Sequence, residues 1–156
     1  MKIGIMGGTF NPIHNAHLLI AEMAREEYGL DRVIFITDGN PPHKSANVTA
    51  KQRFEMTHIA IADNSAFEED DFEINRSEKS YTVNTLGYLK EKYPNNDLFF
   101  IIGEDSLNDF DKWYKPDKIL EMCSLLVFPR KSLKSLTETI KAVKEKMNGR
   151  IFPISC

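Results

Sequence analysis

Apolar residues along this chain alternate between short uninterrupted runs and helical spacings. Lys2–Met6 is a short apolar run that ends in glycines and predicts a strand. Over Asn15–Tyr28, Leu18, Leu19, Ala21, Met23 and Ala24 cluster on one side of a predicted helix, and Gly29 supplies a stop. Arg32–Thr37 is a β-branched strand run. A Gly-Asn-Pro-Pro-His loop follows, then a helix from about Thr49 to Ala62 with Phe54, Met56 and Ile59 among its apolar positions. Phe72–Asn75 alternates like a short strand. Thr82–Lys92 is predicted helical, with Leu86 and Leu89 three apart. Leu98–Ile102 and Ser124–Phe128 have the pattern of buried strands, separated by short helical pieces from Glu104 to Met122 broken near Pro116. Leu133–Met147 is a basic amphipathic helix, and Ile151–Pro153 begins a last strand.

Strands and helices that alternate, with continuous apolar strands, imply a parallel sheet covered on both faces. Right-handed crossovers make it an α/β, doubly wound architecture in which ligands sit at the carboxyl ends of the strands. The chain has 156 residues and a formal charge of −3, which suits one domain and argues against a nucleic-acid-coating or membrane-surface protein. The longest apolar run, Leu98–Ile102, is far too short to span a membrane. Two cysteines, Cys123 and Cys156, form no disulfide framework and are expected reduced, in a cytoplasmic protein. The charge run Glu68–Glu73 reads as a solvated loop before a strand, with a metal cluster as the rival reading.

Candidate chemistry concentrates where the strands end. Gly7-Gly8-Thr9-Phe10-Asn11-Pro12-Ile13-His14-Asn15-Ala16-His17 follows the first strand and opens the first helix. Glycines there let backbone approach an anion, and a helix N-terminus offers unpaired N–H groups. The segment is neither a P-loop nor a G-x-G-x-x-G fingerprint. His14 and His17, three apart, are placed to face one ligand, and phosphate handling, a zinc pair and a structural turn are the competing readings. Pro41-Pro42-His43-Lys44 holds Lys44 on a stiffened loop past the second strand, and Arg53 on the next helix divides evenly between ligand contact and solvation. Thr82 is either a helix N-cap or a ligand contact. Gly103 ends the fourth strand; Asp105 either accepts from ribose hydroxyls or caps a helix. Trp113, the only tryptophan, is either core or a stacking ring, and Arg130 offers a bidentate fork for phosphate or carboxylate.

Together these motifs resemble the nucleotidyltransferase superfamily marked by H-x-G-H. With P-P-H-K, S-Y-T-x-x-T-L and I-G-x-D…W, the chain looks like the bacterial nicotinate mononucleotide adenylyltransferase family, from Met1 to near its C-terminus. The resemblance implies a Rossmann-like nucleotidyltransferase fold and adenylyl transfer from ATP to nicotinate mononucleotide. Pantetheine-phosphate adenylyltransferases and cytidylyltransferases are the sister alternative, and a nucleotide-binding protein without catalysis is a further one. It implies His14, His17 and Lys44 on phosphates, and Gly7, Gly8, Thr9 and Phe10 as nucleotide contacts. Gly103 and Asp105 would hold the adenosine, and Trp113, Thr82 and Arg130 the mononucleotide. Mg²⁺ would travel with ATP, no metal would be held by the protein's own residues, and a homo-oligomer is compatible with it. Ala16 stands where the family motif has glycine. Of the family's late I-S-S-T-x-I-R motif only Ile154-Ser155 is matched before Cys156, so residues 1–156 are expected to form a single domain lacking that motif and the helices after it.

Overall fold

The computed structural model describes residues 1–8, 10, 13–39, 49–75 and 81–155. Six strands form one sheet: β1 (Lys2–Gly8), β2 (Arg32–Thr37), β3 (Phe67–Asp70), β4 (Asp97–Gly103), β5 (Ser124–Phe128) and β6 (Ile151–Pro153). They are all parallel and run in the order β3-β2-β1-β4-β5-β6. The helices are α1 (Asn15–Tyr28), α2 (Ala50–Ile61), α3 (Thr82–Lys92), α4 (Glu104–Asn108), α5 (Pro116–Met122) and α6 (Leu133–Lys146), with a 3-10 turn at Phe110–Lys112. Among the described residues, no helix is long and apolar enough to cross a membrane.

The period-two alternation of each strand sorts its side chains between two cores. Ile34 and Ile36 of β2 join Leu86, Leu89, Leu107, Ile119, Leu136 and Ile140 on the face covered by α3 to α6. Val33 and Phe35 join Ala21, Ala24 and Ile61 on the face covered by α1 and α2. The chain therefore leaves β1 and β2 toward one face and β4 and β5 toward the other. Between β1 and β4 the crossovers diverge, and a crevice opens at their carboxyl ends.

Several expectations need correction. The third strand is Phe67–Asp70, not Phe72–Asn75, which forms a turn. The acidic run is thus partly strand: Glu68 pairs with Arg32 at 3.1 Å, and buried Asp70 accepts from Tyr88 Oη and Lys92 Nζ, each at 3.0 Å. The Asp70 carboxylate also accepts from Phe72 N–H at 2.9 Å, and that local bond turns the chain out of the sheet. Partnered carboxylates on a sheet edge are compatible with strand structure, which the apolar pattern alone could not reveal. On α1, Leu19 is exposed rather than core. On α2, Met56 and Ile59 are exposed and the buried face is Arg53, Thr57 and Ile61. Pro116 starts a helix rather than breaking one, as its missing N–H and fixed φ permit at a first turn. Strands β1 and β4 extend past their apolar runs to Gly8 and Gly103, and α6 stops at Lys146.

The two-sided core makes the central strands the most sensitive to truncation. Leu125 of β5 is fully buried, and Cys123, two residues before it, has its thiol pushed up to about 12 by burial. Leu125→Ala is expected to lower unfolding free energy by about 2–5 kcal/mol in urea titration.

Candidate functional site

A cavity of about 380 Å³ occupies the crevice at the carboxyl ends of β1 and β4. Ile5–Gly8 and Ile36 form one side and Phe100–Gly103 the other; Thr82, Thr85 and Leu86 of α3, Trp113, Ser106 and Phe128 close it. His17 of α1, Asp38 and Glu73 bring the polar and titratable chemistry.

The backbone after β1 is shaped by crowding. Phe10 is buried and has a φ of 48°, a left-handed conformation uncommon outside glycine. Its ring lies where a side chain on residue 8 would go: a Cβ on Gly8 would stand 2.9 Å from the ring. The same ring meets Phe35 at 6.1 Å and the His17 imidazole edge-on at 5.3 Å. Phe10 thus braces the site from the core side and does not line the cavity.

His14 is the N-cap of α1 and is exposed; His17 sits at the third helical position and reaches the cavity. The His14 N–H donates to His17 Nδ1 at 3.0 Å, and the two rings lie 5.7 Å apart. A ring that accepts at Nδ1 is neutral, with its remaining N–H on Nε2. Burial, and secondarily the nearby His14, lowers the His17 pKa below its ordinary value of 6.5. The unfolded chain therefore takes up this proton at higher pH than the folded one, and stability falls as pH drops below about 6.5 toward the folded midpoint.

Thr82 is the first residue of α3 and Tyr81 its N-cap, so Thr82 does not hold the cap position, and it lines the cavity. Three residues on, the Thr85 hydroxyl donates to Glu73 Oε2 at 2.6 Å. Trp113 packs against Phe110 at 5.0 Å and Phe100 at 6.1 Å, as its core reading expects, and it also lines the cavity. Glu104, just after Gly103, is buried and ties this edge together. It accepts from Arg130 N–H at 3.1 Å, from Thr139 at 3.0 Å and from Ser135 at 3.3 Å. Its pKa is lowered, chiefly by the Arg130 N–H, so the stability it supplies is present above the ordinary carboxylate range and lost on acidification through the lowered value.

Of the sequence-predicted residues, Gly7, Gly8, His17, Thr82, Gly103 and Trp113 converge on the cavity. Asp105 and Arg130 do not line it and instead form an exposed ion pair at 3.3 Å. Thr9 and Lys44 lie outside the described residues. Asp38, Glu73, Thr85 and Ser106 were not singled out as ligand candidates. Asp38 carried a signal, since it directly follows the second strand; Glu73 was hidden by the misplaced third strand. Among the described residues no group of three or more His, Cys, Asp or Glu is arranged to hold a metal ion.

Residues 5–152 match the model of the cytidylyltransferase-like family. A protein of Citrifermentans bemidjiense named probable nicotinate-nucleotide adenylyltransferase is 47% identical over 144 residues, covering 90% of this chain and 67% of that protein. A protein of Pelobacter propionicus with the same name is 45% identical over 153 residues, covering 97% of this chain and 70% of its own. The chain thus spans about two thirds of the length of these relatives. Its fold is similar to that of the Plasmodium falciparum nicotinic acid mononucleotide adenylyltransferase complexed with NaAD. The TM-score is 0.80 at 22% identity, over 99% of this chain and 75% of that one.

The His17 geometry has a direct spectroscopic consequence. In a ¹⁵N–¹H titration the His17 ring is expected in the Nε2–H tautomer with a midpoint below 6.5; a midpoint at or above that value contradicts the buried, Nδ1-accepting arrangement.

Proposed function

Because the chain belongs to the cytidylyltransferase-like family and, within it, to the nicotinate-nucleotide adenylyltransferases, we propose that it transfers the adenylyl group of ATP to nicotinate mononucleotide. A phosphate oxygen of the mononucleotide attacks the α-phosphorus of ATP. The new P–O bond forms nicotinate adenine dinucleotide as the bond to the β-phosphate bridging oxygen breaks, and pyrophosphate leaves. The observation that carries this reading is the crevice itself: Gly7, Gly8 and His17 on the β1 side face Gly103 across one cavity, with Trp113 and Thr82 at its far wall.

Such a reaction requires little covalent participation by the protein, so positioning and charge stabilisation dominate. The Nε2–H of His17 is a donor to the phosphate oxygens on which charge builds, and exposed His14 adds a second imidazole at the same helix start. Gly7 and Gly8 allow the nucleotides to approach backbone closely. Gly103 lies on the adenosine side, and the exposed Asp105–Arg130 pair meets ribose hydroxyl or phosphate groups that face solvent. Trp113 presents its ring to the pyridine, with Thr82 beside it. Lys44 retains the phosphate role, and Thr9 the nucleotide contact, that the family resemblance gives them.

A divalent cation accompanies ATP as part of the substrate. Magnesium fits, because it keeps several waters, binds phosphate oxygens and needs few protein ligands. The carboxylate and hydroxyl oxygens that Asp38, Glu73 and Ser106 bring to the cavity are of the hard type it accepts. The setting is a cytoplasmic step of NAD biosynthesis, with no nucleic acid or membrane as partner and with a homo-oligomer compatible with it.

Purified protein with Mg·ATP should release pyrophosphate with nicotinate mononucleotide in clear preference to phosphopantetheine; the reverse preference would assign it to the sister enzymes. His17→Ala should keep its circular dichroism spectrum and lose about 10²–10³-fold in kcat, the range for removing one donor to developing charge. An unchanged kcat at saturating ATP removes His17 from the reaction.

A further inference from the structure

Arg53 is the largest of the fully buried side chains, at 1% exposure. It projects from the first turns of α2 toward the carboxyl end of β2, where its Nη1 donates to the Asp38 carbonyl at 2.6 Å. Burying a guanidinium is costly, and an apolar residue of similar size fills a core more cheaply. The donors of Arg53, rather than its bulk, are therefore its distinctive contribution at this position.

Those donors fix one wall of the cavity. The Asp38 N–H donates to the Gly8 carbonyl at 2.8 Å, so Asp38 is held through both its backbone groups, the N–H by β1 and the carbonyl by α2. The next residue, Gly39, lies against the following crossover: a Cβ there would stand 2.3 Å from the Glu73 carbonyl oxygen and 2.7 Å from the Ile74 Cα. Glu73 in turn accepts from the Thr85 hydroxyl, one turn of α3 after Thr82. Asp38, Glu73, Thr82 and Thr85 all line the cavity. A shift of the Asp38–Gly39 backbone is thus passed by contact to the Glu73–Thr85 pair, whereas Gly103, given above to the adenosine side, ends β4.

We propose that Arg53 is a positioning residue for acceptor binding, holding the Asp38–Gly39 backbone so that the Glu73–Thr85–Thr82 wall keeps its shape. This rests on the reading of the site given above, in which the Thr82 wall receives the mononucleotide. Arg53 touches no substrate and acts through the Asp38 peptide.

Two variants separate this role from a general contribution to folding. Arg53→Met keeps the apolar stem and removes every donor; Arg53→Lys keeps a charge and a donor without the planar fork. In folded Arg53→Met, KM for nicotinate mononucleotide should rise about tenfold or more, as for a misplaced binding contact, while KM for ATP stays within about twofold. Arg53→Lys should fall between it and the wild type. Amide hydrogen exchange at Asp38 and Gly39 should quicken while β4 and β5 keep their protection. Equal changes in both KM values, unchanged kinetics, or a uniform loss of protection would overturn the proposal. Should Arg53→Met fail to fold, Arg53→Lys carries the same comparisons. If the wild type makes no dinucleotide, the functional reading fails on its own, and exchange at Asp38 still decides whether Arg53 holds that backbone.

Discussion

The reversal of crossover direction between β1 and β4 is the constraint from which the rest of the molecule follows. The two strands are hydrogen-bonded neighbours, with Met6 opposite Ile101, yet their continuations leave toward opposite faces of the sheet. No connection can cover the ends of both. Parallel strands buried on two faces leave the carboxyl edge as the place where backbone groups and polar side chains meet a ligand. The glycines that end β1 and β4 are therefore backbone surfaces of a pocket as well as ends of strands.

Around that opening, buried polar side chains act as ties between neighbouring turns. Glu104 joins the end of β4 to the loop after β5 and to α6. Arg53 joins α2 to the end of β2, and Asp70 joins β3 to α3 through Tyr88 and Lys92. Each takes a charged group out of water and binds it to groups from another segment. Ion pairs left in solvent, such as Asp105 with Arg130, add little to stability by comparison.

The distribution of these ties explains what could be read from the residues alone. Arg32–Thr37, Ser124–Phe128, Asn15–Tyr28 and Thr82–Lys92 were found to the residue, because apolar runs, helical spacing and terminal glycines mark such elements locally. The third strand is missed because Phe67–Asp70 is held by its pairing with β2 and by Phe67 in the core, while its carboxylates meet partners distant in sequence, Arg32, His58, Tyr88 and Lys92. Phe72–Asn75 alternates in pattern but is turned by Asp70. The same error concealed Glu73. Gly7, Gly8, His17, Thr82, Gly103 and Trp113 were legible because motif spacing and strand ends coincide. The position of Arg53 beneath the site was not, since an arginine on a polar helix gives no sign that it faces inward.

The packing of Phe10 over Gly8 also bears on how this segment can change. Phe10 holds a left-handed backbone, its ring fills the space that a side chain at residue 8 would need, and that ring meets the His17 imidazole edge-on. A larger residue 8 demands a smaller residue 10, and a smaller residue 10 removes the support behind His17. The three positions form an epistatic unit. A library that randomises them singly should return the parental residues, whereas one that varies all three codons together can reach other solutions.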